Sequence, residues 1–358
     1  MIYQIQPWID HAELKELEEV IQSTWITEGE KTKLFEEKIK ELTGAKYALS
    51  ICNGTAALYV SMKALGIGSG DEVIVPDLTF IATANSVKMT GAEPVLCDIN
   101  PKTSNIDVDK IQQHITSKTK AIMPVHLYGQ SSEMDKIIEI AQKHNLFIIE
   151  DAAQGVGVKF NNKHVGTFGN LGVLSFYGNK TITTAEGGII LTDNSELYKK
   201  CWQLKNHGRE VKGTFIHPYM GFNFCFTDIQ AAIGLAQLNK LKEIIERKTQ
   251  NRNIYMNLLN DVPQIEFPYI DTRCEAVFWF TNILIDEPQK LADYLLKNDI
   301  QTRRFFYPIH LQPCYNIKGD FSNAEMVYNR GLSLPSSVLL KEEEIKIIAD
   351  KIKEFYLL

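Results

Sequence analysis

KAIMPVHLYGQSSEMDKIIEIAQKHNLFIIED, residues Lys120–Asp151, decides the fold. KAIMPVHLYG and LFIIED are short apolar runs of strand character. SEMDKIIEIAQKHN between them has helical spacing and fills one crossover. A strand, a helix and a second strand in this order read as a parallel pair. The same pattern extends in both directions. DEVIVP (Asp71–Pro76) and EPVLCDI (Glu93–Ile99) precede it, and GVLSFYG (Gly172–Gly178) and GGIILTD (Gly187–Asp193) follow. Nearly continuous apolar strands linked by helices imply an α/β protein with a mostly parallel sheet covered on both faces.

Upstream, Asp10 followed by Glu13 reads as a capping box, with Leu14, Leu17 and Ile21 as the apolar stripe of the helix it opens. A second helix is expected from about Lys33 to Leu42, stopping at Gly44. Downstream, FTDIQAAIGLAQLNKLKEIIERKTQNRNIYMNLLN begins at Phe226 and is too long for one ordinary crossover helix. It is expected to bridge into a smaller α+β unit containing the aromatic strand AVFWFTNILI and the helix KEEEIKIIADKIKEFY. The expected division is a large unit over residues 10–239 and a small C-terminal unit over 240–358.

The 358 residues are 44% apolar and 23% charged, which excludes disordered and collagenous chains. The net charge of −6 comes without a basic stripe, so nucleic acid is not an expected partner. The N-terminal stretch lacks a charged and apolar leader pattern, and no run approaches the ~18 apolar residues of a membrane span. The six cysteines are scattered without a CxxC pair, so no disulfide framework, zinc site or iron–sulfur cluster is expected. The expected setting is a reducing cytoplasm.

Three polar signals fall at strand ends, where open α/β sheets bind ligands. Asn53-Gly54-Thr55-Ala56-Ala57 opens a helix, and its free N–H groups suit an anion, or Asn53 and Thr55 simply cap that helix. Glu150-Asp151 ends a buried strand, where a carboxylate needs a cation such as a protonated ring nitrogen, or instead caps a segment or pairs with an arginine. Lys180 sits in a turn of small and hydroxyl residues, as an amine nucleophile or as an ordinary loop lysine. Together an anion cradle, a carboxylate and an amine match the needs of pyridoxal 5′-phosphate.

The segments NGTAAL, PDLTFIATANSV, EDAAQGVG, SFYGNKTITTAEGGIILT and GFNFCFTDIQAAIGLAQL occur in order. In this the chain resembles the DegT/StrS nucleotide-sugar aminotransferases, from about Trp8 to the C-terminus. The resemblance implies the aspartate-aminotransferase-like fold, pyridoxal phosphate and a homodimer with a shared site. It makes Lys180 the residue that carries the cofactor and Asp151 the partner of the pyridine nitrogen. Gln154 would approach the ring hydroxyl, Phe80 would stack on the ring, and Gly54, Thr55, Ala56 and Ser175 would hold the phosphate. Asn223 would reach the phosphate of the neighbouring subunit. QTRRFFYPIH makes Arg303, Tyr307 and His310 substrate-side candidates, and WITEG adds Thr27. The chain departs from the family pattern at Cys225 (often Arg), Arg304 (often Pro) and Ala185 (often Gly). The expected activity moves an amino group from L-glutamate to C4 of a nucleotide-linked 4-keto-6-deoxyhexose, the branch that includes perosamine synthases. Amination at C3, a pyridoxal-phosphate-dependent sugar dehydratase and a silent regulatory protein on the same fold are the alternatives. A lysine rather than a histidine at 180 argues against the dehydratase.

Overall fold

The computed structural model describes residues 1–211 and 213–357. Two helices open the chain, α1 (His11–Ser23) and α2 (Glu30–Thr43). The capping box forms, with Ala12 N–H donating to Asp10 and Asp10 N–H to Glu13, both at 2.8 Å. The buried face of α1 is not the expected one. Leu14 and Ile21 are 50% and 60% exposed, while Val20 and Glu13 are buried. Glu13 turns inward because the Gln237 amide and the Lys240 ammonium donate to it.

The alternating region follows. It runs β1 (Tyr47–Ile51), α3 (Gly54–Ala64), β2 (Glu72–Pro76), α4 (Ala82–Thr90), β3 (Glu93–Cys97), α5 (Val108–Ile111), β4 (Thr119–Ile122), α6 (Met134–His144) and β5 (Phe147–Asp151). A small hairpin of β6 (Lys159–Phe160) and β7 (Lys163–His164) leads to β8 (Leu171–Ser175), β9 (Gly188–Thr192) and α7 (Ser195–Lys205). The main sheet has the order β1-β9-β8-β5-β4-β2-β3. Strands β8, β5, β4, β2 and β3 pair in parallel, and β9 runs antiparallel to both of its neighbours. One face packs on α3 and α4 through residues such as Leu58, Val60, Val75, Val87 and Ile149. The other packs on α6 through Ile74, Ile122, Ile137 and Ile148.

The long segment is one continuous 31-residue helix, α8 (Asp228–Leu258), opened by a Thr227–Gln230 capping box. At about 1.5 Å per residue it is about 46 Å long. Its first half puts Ala231, Leu235, Leu241 and Ile244 into a core with α2. Tyr255 belongs to a different core, with Ile283, Leu291, Leu332, Leu334, Ile345 and Ile348. The remaining elements are β10 (Cys274–Glu275), β11 (Thr281–Leu284), α9 (Pro288–Lys297), β12 (Arg303–Arg304), α10 (Ser322–Arg330), β13 (Gly331–Leu334) and α11 (Glu342–Leu357). Strands β11, β13 and β12 form a small antiparallel sheet backed by α9 and α11. AVFWFTNILI is a strand only from Thr281. The aromatic residues before it run as an irregular segment across the end of the main sheet. Phe305, Ile309, Phe321 and Val327 return to the large core. Among the described residues no helix is long and apolar enough to cross a membrane.

Candidate active site

The carboxyl ends of β5 and β8, the turn into α3 and the loop after β2 surround one cleft of about 660 Å³. That is large enough for a cofactor and part of a substrate. Lys180, from the turn between β8 and β9, lines it with its Nζ 4.3 Å from the centre of the Trp279 ring. Burial pulls the Lys180 amine down to about 8; Asp151 opposes this shift and Arg303 adds to it. Asp151 ends β5 and is buried. Its carboxylate accepts from the Thr83 hydroxyl at 2.8 Å and from Ala153 N–H at 3.2 Å. Burial pushes this carboxyl above its ordinary value against those donors and the nearby charge of Lys180. Strand alternation separates Asp151 from Glu150. Glu150 faces away from the cleft, pairs with His126 Nε2 at 2.9 Å and accepts the N–H groups of Gly166, Phe168 and Gly169.

The turn into α3 satisfies both readings of its sequence. Asn53 caps the helix by accepting Ala56 N–H at 2.9 Å. The N–H groups of Gly54 and Thr55 then have no partner among the described residues. Ser175 lies so close that a side chain at Gly54 would sit 3.2 Å from the Ser175 hydroxyl. The cleft therefore offers backbone donors and a hydroxyl at one end. Deeper in, Asp151 and Lys180 make no ion pair among the described residues. An anion site, a carboxylate without a cation and a readily deprotonated amine fit pyridoxal phosphate by donor chemistry.

Of the remaining expected residues, Gln154, Phe80 and Arg303 also line the cleft. Phe80 is 52% exposed and lies 5.7 Å from Phe306. Four others are not brought there. His310 is buried outside the cleft. Its Nδ1 lies 2.6 Å from Asp77, its Nε2 lies 3.3 Å from Glu325, and its ring stacks on Phe321. Tyr307 is exposed and packs edge-on against Tyr328. Thr27 is exposed on the loop before α2, where its carbonyl accepts Asp228 N–H. Asn223 is exposed, and among the described residues its amide oxygen accepts only Cys225 N–H, at 3.4 Å.

The departures from the family pattern also resolve. Arg304 turns away from the cleft and donates to the carbonyls of Tyr328 and Gly331 at the end of α10. The Cys225 sulfur lies 3.3 Å from the Asn206 amide oxygen, beside buried Lys205, whose Nζ is 2.8 Å from Glu28. Neither one lines the cleft of its own chain. Ala185 has φ +66, a left-handed position. Sequence reasoning missed Thr83, although it stands within PDLTFIATANSV. It also missed Tyr128, Trp279 and Phe306, whose aromatic character signals only packing.

The profile of the DegT/DnrJ/EryC1/StrS aminotransferase family matches residues 7–353. The chain belongs to this family. It is 42% identical to the GDP-perosamine synthase of Escherichia coli O157:H7, over 98% of this chain and 97% of that one. The GDP-perosamine synthase of Caulobacter vibrioides is 40% identical, over 96% and 95%. Helicobacter pylori PseC, an aminotransferase involved in the biosynthesis of pseudoaminic acid, superposes with a TM-score of 0.94 at 29% identity, covering 100% of both chains. The enzyme is a pyridoxal-phosphate-dependent aminotransferase of this fold, as its motifs implied.

Proposed function

We propose that this aminotransferase moves an amino group from L-glutamate to C4 of a nucleotide-linked 4-keto-6-deoxyhexose. What carries the proposal is the end-to-end likeness to GDP-perosamine synthases, at up to 42% identity. Lys180 and Asp151 lining a single cleft supports it.

Pyridoxal phosphate, when bound, supplies an electron sink that makes the hydrogen beside the transferred nitrogen acidic. Lys180 would take and return the proton at that carbon, a task suited to an amine already drawn down to about 8. Asp151 would hold a proton on the ring nitrogen, oriented by Thr83 and Ala153. Gly54, Thr55 and Ser175 would bind the phosphate beside Ala56, whose N–H is held by the Asn53 cap; Gln154 would face the ring hydroxyl, and Phe80 would cover one ring face. Arg303 has no ion-pair partner among the described residues and would receive an anionic group of the substrate. A homodimer fits the exposed position of Asn223 and the apolar loop before it, where Phe215, Ile216 and Met220 are 86%, 75% and 85% exposed. Asn223 would then complete the site of a second copy. Six free thiols fit the cytoplasm as its place of action, and O-antigen or similar glycan synthesis fits the product.

The test is a panel of GDP-, dTDP- and UDP-linked 4-keto-6-deoxy sugars with L-glutamate. The visible band of the bound cofactor should fade with glutamate and return with the accepted sugar, and Lys180→Ala should abolish both steps. Product NMR reads the aminated carbon. Amination at C3, or turnover of none of these sugars, would overturn the proposal.

A further inference from the structure

Tyr128 sits behind Gln154 in a backbone conformation that most side chains avoid. Its φ is +55 and ψ +21, and Gly129 after it has φ +85. This left-handed pair drives the turn after β4 against the aromatic segment of the smaller unit. A side chain at position 129 would lie 1.7 Å from the Val277 carbonyl. Two contacts of Tyr128 then span the cleft wall. Its N–H donates to Gln154 Oε1 at 2.6 Å, and its hydroxyl accepts Phe306 N–H at 3.1 Å. Its ring stacks on Phe306 at 5.5 Å and 4° and lies 6.4 Å from Trp279, the residue that covers Lys180.

We propose that Tyr128 is a positioning residue: its left-handed backbone fixes which end of the Gln154 amide faces the cleft. With Oε1 occupied by the Tyr128 N–H, the amide presents its NH₂ end as a donor. Left-handed backbone at a non-glycine residue persists only where the surroundings over-determine it. Here the aromatic stack and the Phe306 N–H supply that constraint. The inference rests on the proposed role of Gln154 at the cofactor's ring hydroxyl. A donor at that oxygen favours its deprotonated form, so losing the donor raises the pH midpoint of the bound cofactor's visible band.

The experiment is a pH titration of that band, with cofactor affinity measured alongside, in the holoenzyme. Gln154→Leu should raise the midpoint by about one pH unit, the worth of one hydrogen bond. Tyr128→Val, whose β-branched side chain rejects the left-handed region, should raise it similarly. It should add nothing in the Gln154→Leu background. Tyr128→Asn and Tyr128→Gly, which tolerate that region, should stay closer to wild type. Should Tyr128→Val fail to fold, Tyr128→Ala carries the same comparison with a smaller shift. A shift in Gln154→Leu that neither Tyr128→Val nor Tyr128→Ala reproduces would overturn this inference alone. An unmoved midpoint in Gln154→Leu would overturn the placement of Gln154 and this inference with it.

Discussion

At Lys180 two charges of opposite sign act on one amine, and burial, with Arg303 on its side, outweighs Asp151. Only the neutral amine reacts with an acylating label, so in the cofactor-free protein labelling of Lys180 should rise with pH through about 8. An ordinary lysine would rise only near its usual, higher value. Arg303→Ala removes a cation that disfavours the ammonium, so the midpoint should move up. Asp151→Asn removes the anion that favours it, so the midpoint should move down. Peptide mass spectrometry after pulse labelling reads both directions. Opposite movements would mean that the two charges do not act on Lys180. Ala185, at φ +66, carries strain that glycine would not. Ala185→Gly should therefore stabilise the protein by about 0.5 kcal/mol after the entropy of the more flexible unfolded chain is allowed for, read as a higher denaturation midpoint. Lys180 and Asp151 were legible because their neighbours form a long motif in which each residue has a chemical reason. Thr83 was not, since a hydroxyl that serves a distant carboxylate has no local signature.

Elements carry the second level of constraint. The short turn of His310 is pinned to the loop after β2 by three contacts with Asp77, including Ile309 N–H to the Asp77 carbonyl and His310 N–H to its carboxylate, both at 2.8 Å. Burial raises the Asp77 carboxyl, and His310 counteracts that shift. His310→Ala leaves this buried carboxylate short of a partner, so it should cost about 3 kcal/mol of stability. The KM for sugar nucleotide in the protein that remains folded should be unchanged. A raised KM with unchanged thermal stability would restore His310 to the substrate side. The sequence could not separate these roles, because a histidine beside an aromatic run looks the same in either. The amphipathic pattern of α1 misled for a related reason. Val20 and a paired Glu13 were the inward residues, and pairing with Lys240 is invisible without α8. The strands, by contrast, were readable wherever apolar runs are buried on both faces. KAIMPVHLYG is strand only through Ile122, the rest running on into the Tyr128 turn, and AVFWFTNILI lost its first half to contacts around the cleft.

Across the whole molecule, the site is drawn from distant parts of the chain. Asn53, Phe80, Asp151, Lys180 and Arg303 meet in one cleft, while Asn223 stays outside it. If a second copy supplies Asn223, mixing Lys180→Ala with Asn223→Ala protein should regenerate one intact site in each mixed dimer. Statistical pairing in a two-fold dimer then gives about a quarter of wild-type activity. No recovery after subunit exchange, verified by mass, would remove Asn223 from its neighbour's site.

β1 and β9, its only ladder partner among the described residues, lie far apart in the sequence: Tyr47 meets Thr192 and Ile51 meets Gly188. During synthesis, β1 therefore leaves the ribosome long before anything can bond to its edge. At about 5–20 residues per second that wait lasts roughly seven to thirty seconds. Until then its apolar side chains and unmet backbone groups form a sticky ribbon that invites mispairing with other nascent chains. Stalled chains ending before β9 should be cut readily by protease within residues 47–51 and should recruit chaperones, whereas chains that have released β9 should resist.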